Sequence, residues 1–218
     1  MTYTLVHEAF CATYGSRQWK PGRPGLDELV LTILSQSTTD RNSGRAYVAL
    51  RQQYPTWADV AVTSPADIAL VIRVAGLAVD KAERIVTVLN HPDVQAAGYT
   101  LDFLADMALP DALEWLTRFH GIGLKTAGCV LLFAYGKPIL PVDTHIARVA
   151  YRLGLTTSPG PDHAHRVLNE SIPGALHYAA HMHLIQLGRL TCHAHRPRCE
   201  SCPVATLCRM REEFARAT

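Results

Sequence analysis

Apolar residues along the chain recur at three- and four-residue intervals, the period of a helix with one buried face, and no stretch keeps the strict alternation of a half-buried strand. "LDELVLTILSQ" (26–36) places Leu26, Leu29, Val30, Ile33 and Leu34 at helical spacing just after the Pro/Gly loop "KPGRPG". "SPADIALVIRVAG" (64–76) carries its own punctuation, with Ser64 as N-cap, Pro65 at the first helical position and Gly76 as stop. The same period predicts helices over 80–90, 110–119, 124–136, 143–154, 162–172 and 175–191, joined by short connections containing Gly or Pro. The pattern predicts an all-α protein of about ten helices with no repeat of fixed period.

Composition narrows the classes. At 218 residues, 48% of them hydrophobic and 18% charged, the chain can bury one large core or two small ones, which excludes a disordered protein. The first residues, "MTYTLVHEAFCATYG", show neither an export nor an organelle signal, and the longest uncharged apolar run, "TAGCVLLFAYG" (126–136), is far below the roughly 20 residues that span a bilayer. The expectation is a cytoplasmic protein with no membrane partner, nucleoid-associated if prokaryotic. In that reducing compartment clustered cysteines point to metal ligation rather than disulfides. A net charge of +2 does not by itself point to a polyanion, so a nucleic-acid partner must be argued from local features.

Two stretches carry chemistry. In "TCHAHRPRCESCPVATLC" (191–208), Cys192, Cys199, Cys202 and Cys208 have the spacing C-x6-C-x2-C-x5-C. Structural zinc sites present two tight pairs, and only Cys199 and Cys202 form one. Wide, unequal loops suit a [4Fe–4S] cube, which needs a thiolate at each of four separated corners; zinc and unligated thiols are the alternatives. Cys11 and Cys129 lie in apolar helical contexts and read as small core residues. His177 and His181, four apart, read as a solvated or satisfied helix face because no third ligand is evident.

The second stretch is "FHGIGLKTAGCVLLFAYG" (119–136), where Gly121, Ile122 and Gly123 form a turn between two helices. Glycine lets backbone approach a ligand closely, and the free N–H groups opening the next helix suit a phosphate. Such a hairpin grips a nucleic-acid backbone without reading its sequence, although the same turn also serves as a plain connection. Lys125 follows directly, and Asp143 opens a later helix in "PVDTH". Partial desolvation would favour a neutral, nucleophilic lysine, and a carboxylate stabilises positive charge developing at a sugar carbon. The residues alone equally allow Lys125 a phosphate contact and Asp143 a helix cap.

"HGIGLKTAG", "PVDTH" and the four cysteines, in this order, closely resemble the endonuclease III family of base-excision DNA glycosylases, over about Leu26 to Arg211. The resemblance implies an all-α, two-domain fold: a six-helix domain over 22–136, and a cluster domain from 1–21 and 137–218, with DNA in the groove between. It implies that Lys125 attacks the sugar C1′ of a damaged nucleotide, that Asp143, 18 residues on, assists, and that a structural [4Fe–4S] cluster lies close to the DNA. Leu77 matches the family's apolar wedge, which fills the stack vacated by a flipped base.

Departures from the family pattern bear on lesion preference. Where the family often has "LSAQATD" this chain has "LSQSTTD", which puts Ser37 at the aligned wedge position with Gln36 beside it. Phe119-His120 replaces Leu-Pro before the hairpin, and Leu124 replaces a common Arg. Between the first cysteines, "HAHRPR" offers Arg196 and Arg198 to phosphates, or forms a solvated loop. The expected activity is a monomeric bifunctional glycosylase and AP lyase acting on oxidised pyrimidines in damaged double-stranded DNA. The alternatives are a monofunctional adenine or mismatch glycosylase, groups that usually lack the lysine, and a non-catalytic DNA-binding module.

Overall fold

The computed structural model describes residues 2–215, and no strand occurs among them. The helices are α1 (Tyr3–Tyr14), α2 (Gly25–Ser35), α3 (Asp40–Gln53), α4 (Trp57–Val62), α5 (Pro65–Ile72), α6 (Ala78–Leu89) and α7 (Pro92–Ala96). They continue as α8 (Phe103–Asp106), α9 (Leu109–Thr117), α10 (Leu124–Tyr135), α11 (Thr144–Leu153), α12 (Pro161–Ser171), α13 (His177–Leu190) and α14 (Arg211–Ala215). The chain forms two compact units, one from Pro21 to Lys137, the other from the segment up to Lys20 together with that from Pro138 onward.

In the Pro21–Lys137 unit the central element is α10, buried without a break from Thr126 to Leu132. A helix that is apolar on every side belongs in a core, and α2 packs along it. Fully buried Leu29, Ile33, Leu34, Ile68, Ile72 and Leu89 each contribute about 1.5–3 kcal/mol of transfer free energy. Ser64 and Pro65 start α5 as expected, Ser64 accepting from the Asp67 amide at 3.2 Å. The helix expected over 64–76 ends at Ile72, tightens into a 3₁₀ turn (Arg73–Ala75) and stops at Gly76, φ +68°. Thr56 and Asp59 close a capping box on α4.

The other unit is built around α11, whose buried face carries Ile146, Ala147, Val149, Ala150 and Leu153. α12 and α13 pack on α11, and Tyr3, Val6 and Phe10 of α1 enter the same core. The α11–α13 crossing is close at Gly188, where a Cβ would stand 2.9 Å from the Cβ of His145 and 3.3 Å from its carbonyl oxygen. Of the two readings of His177 and His181 the satisfied one holds: both are buried, and ring nitrogens donate to the carbonyls of Ile172 at 2.9 Å and Pro141 at 3.0 Å. Cys129 is a buried core residue, whereas Cys11 is only half-buried.

Candidate functional site

After α9 the chain turns on a bond from the Ile122 amide to the Phe119 carbonyl, 3.0 Å. Ile122 is buried and anchors the turn, while Gly121 and Gly123 stay exposed on either side. Gly121 has φ +78°, a backbone shape that calls for glycine, and a Cβ there would also displace the guanidinium of Arg84. Gly123 precedes α10 without a capping side chain. The opening amides of α10 are therefore left for an external acceptor, and the helix dipole favours an anion there.

Gln36 does not project outward. Its amide nitrogen donates to the Gly121 carbonyl at 3.0 Å and to the Thr126 hydroxyl at 3.1 Å, while its oxygen accepts from Arg84 at 2.6 Å. Gln36 thus braces the hairpin from within, and Ser37 beside it is exposed. Ser37 (φ +54°) and Leu77 (φ +48°) both hold left-handed backbone, which is rare for residues with a Cβ and recurs at functional loops. Leu77 is 59% exposed, an apolar tip before α6. Lys81, fully buried, bonds the carbonyls of Leu34 and Ala75, each at 2.8 Å, and so ties together the two segments that end in these tips.

Lys125 is the second residue of α10, half-buried, and makes no hydrogen bond or ion pair among the described residues. Glu28 on α2 lies in its field. Burial pushes the Glu28 carboxyl up, and Arg23 and Lys125 pull it back down. Asp143 caps α11, its Oδ1 accepting from the Ile146 amide at 2.8 Å, and Oδ2 makes no hydrogen bond among the described residues. The cap therefore occupies half of the carboxylate. Lys125 and Asp143 belong to different units.

Cys192, Cys199, Cys202 and Cys208 line one cavity, with Val149, Leu153, Leu187 and Val204 as apolar walls. Burial, then the neighbouring Cys192, raises the Cys199 thiol; burial also raises Cys202 and Cys208, partly offset by the backbone amides of Val204 and Met210. For these three thiols burial disfavours the charged form, and a cationic group bound in the cavity would offset it. Arg152, a buried side chain of α11, donates to Cys192 Sγ at 3.3 Å and to the carbonyls of His193 and Ala194 at 2.6 and 2.9 Å. Arg148, one turn earlier, bonds the carbonyls of Cys192 and Gly188. These arginines went unread in the sequence, although two arginines four apart on an otherwise apolar helix face were the signal. Arg196 (φ +50°) and Arg198 are exposed on the loop between the first two cysteines.

A helix-hairpin-helix followed by a lysine, a capping aspartate and a four-cysteine cavity defines a class, and the sequence profile agrees. Residues 30–174 match the HhH-GPD superfamily of base excision DNA repair proteins, to which the chain belongs. Within it the chain is a member of the endonuclease III family. It is 33% identical over 180 residues to endonuclease III of Thermotoga maritima, covering 83% of this chain and 80% of that one. With endonuclease III of Treponema pallidum it shares 33% identity over 213 residues, covering 94% and 92%. Its fold matches a non-covalent endonuclease III–DNA complex with a TM-score of 0.81 at 26% identity over 99% of each chain. A trapped endonuclease III–DNA covalent intermediate matches at 0.80 and 25%, again over 99% of each. No helix among the described residues is long and apolar enough to cross a membrane.

Proposed function

We propose that this protein is a bifunctional DNA glycosylase and AP lyase that removes oxidised pyrimidines from duplex DNA. The observation that carries this reading is Lys125, unpaired and half-buried at the start of the helix that follows the hairpin. The hairpin amides hold a phosphate near the lesion, and the target nucleotide leaves the stack to be reached. Leu77 and Ser37 enter the space it vacates; Gln36 acts one step back, as the brace that positions the hairpin. Arg196 and Arg198 contact phosphates from the other unit.

In the chemical step the neutral Lys125 amine bonds to C1′ as the C1′–N bond breaks, and that bond's electron pair leaves with the base, which is then protonated. The carboxylate of Asp143 stabilises the positive charge on the sugar and takes the proton lost by the amine. The sugar ring opens to a Lys125–C1′ imine. Loss of a C2′ proton expels the 3′ phosphate, which cuts the strand, and water then frees the lysine.

The cysteine cavity fits a [4Fe–4S] cluster better than one zinc ion. Thiolates about 2.3 Å from a tetrahedral zinc lie roughly 3.8 Å apart. Among the described residues no three of the four cysteines offer sulfurs within 4.8 Å of one another. Bound there, a cluster supplies the charge that lets the thiols ionise and fixes the loop bearing Arg196 and Arg198. The purified protein is expected to be yellow-brown, with about four irons and broad absorption near 400 nm, roughly. One stoichiometric zinc in a colourless protein would remove the cluster from this reading. Borohydride tests the nucleophile: hydride reduces the imine to a stable amine, so wild type is trapped on abasic or oxidised-pyrimidine duplex and Lys125→Ala is not. Trapping by Lys125→Ala would assign the chemistry to another amine.

A further inference from the structure

We propose that His7, Cys11 and His183 form a binding site for a zinc-class divalent ion that fastens α1 to α13, separate from the four-cysteine cavity. His7 and Cys11 are four residues apart on α1 and share a face. Cys11 Sγ lies 3.5 Å from His7 Nε2. Sulfur and nitrogen ligands of one tetrahedral zinc, about 2.3 and 2.0–2.1 Å from the metal, stand about 3.5 Å apart. His183 joins them from α13, and one ligand atom from each of the three lies within 4.8 Å of the others.

The hydrogen bonding of His183 supplies an independent indication. The side chain is fully buried, and Nε2 is 3.0 Å from the Gly15 carbonyl, which only accepts. Nε2 therefore carries the hydrogen, and the lone pair falls on Nδ1, which is buried with no hydrogen-bond partner. An unmet buried acceptor is costly, and a histidine whose second nitrogen is held by a backbone carbonyl is the usual form of a metal ligand. Burial lowers the pKa of His183 against the Gly15 hydrogen bond, with His7 and Arg17 adding to it, a direction that favours the neutral ring ligation requires. The Tyr3 hydroxyl is also buried without a hydrogen-bond partner, and its ring centroid lies 5.8 Å from that of His7. It is a candidate for the fourth position.

Two imidazoles and a thiolate select zinc or cobalt over magnesium or calcium, which take oxygen ligands. None of the three residues lines the four-cysteine cavity. Cys11 and His183 are distant in sequence, so an ion bound only by the folded arrangement stabilises it.

The test uses iron-loaded protein titrated with Zn²⁺ against a chromophoric chelator. The expected result is one zinc bound with a Kd below about 1 μM, with iron content unchanged, a zinc-dependent rise in Tm, and zinc-slowed alkylation of Cys11 by iodoacetamide, read by peptide mass. Cys11→Ser, which can still hydrogen-bond His7, and His7→Ala should each weaken zinc binding by about 10²-fold or more and abolish the rise in Tm. Equal affinity in both variants, unslowed alkylation of wild-type Cys11, or zinc uptake only as iron is lost would overturn the proposal. The alkylation arm needs no variant, so it decides the matter even if a substitution prevents folding.

Discussion

Arg84 on α6 donates to Gln36 at 2.6 Å, and Gln36 passes that contact on to the Gly121 carbonyl at 3.0 Å. Three segments far apart in sequence thus converge on the turn that presents the α10 amides. Arg84 Nε is buried without a partner, so the guanidinium has little to fall back on if the glutamine is lost. Gln36→Met should cost about 1–3 kcal/mol of stability, the scale for stranding buried polar groups, and weaken duplex binding while leaving borohydride trapping intact once DNA is bound. Denaturant melts and a binding isotherm check both parts; undiminished affinity would remove the brace from DNA binding.

Asp143 caps α11 and, in the proposed mechanism, stabilises charge on the sugar, and substitutions separate the two roles. Asp143→Asn keeps an oxygen for the Ile146 amide, so the unfolding midpoint should hardly move, while turnover falls by about 10²-fold or more. Asp143→Ala should lose turnover and also about 1 kcal/mol of stability with the cap. Single-turnover kinetics and thermal melts on both variants separate the duties. Full activity in Asp143→Asn would reduce the carboxylate to a cap.

Arg196 and Arg198 should act on affinity rather than chemistry. Changing both to Glu is expected to weaken binding to any duplex and to lower the slope of log K against log salt by about 0.9 for each lost phosphate contact. Salt titrations of wild type and variant measure this directly. An unchanged slope takes the loop off the DNA.

Acid should loosen the unit that holds the cysteines. Burial is the leading cause that depresses the pKa values of His165, His177 and His183 below 6.5. Asp162 opposes it at His165, and backbone carbonyls oppose it at His177 and His183. The unfolded chain then binds more protons than the folded one, so stability is complete above about pH 6.5 and declines as pH falls toward the depressed values. Melting at pH values on both sides of that point should show a lower midpoint on the acid side, and NMR should show these three imidazoles still neutral where free imidazole is charged. A midpoint indifferent to acidification contradicts the assignment.

Much of this was legible in the chain, for physical reasons that also mark where reading stopped. α10 and α11 were readable because a dense apolar stripe and terminal glycines coincide, and Ser64 and Pro65 announced α5. α3 was not, because its buried positions are Ser43, Ala46 and Leu50, a stripe too narrow and polar to register. The hairpin and the cysteine spacing are local, so they survive in sequence. The bracing role of Gln36 is not legible in sequence because its partners, Arg84 and Gly121, lie 48 and 85 residues away. Cys11 read as an inert core residue for the same reason: His183 reaches it only through folding.

The buried ammonium of Lys81 has a consequence for both tips. Because it holds the carbonyls of Leu34 and Ala75 at once, the tips at Ser37 and Leu77 rest on a shared footing set below them, independent of their own side chains. Residues at the tips can then change in size and polarity without moving the backbone that carries them. Substitutions at Ser37 or Leu77 then alter one tip at a time, whereas loss of Lys81 unsettles both supporting segments at once.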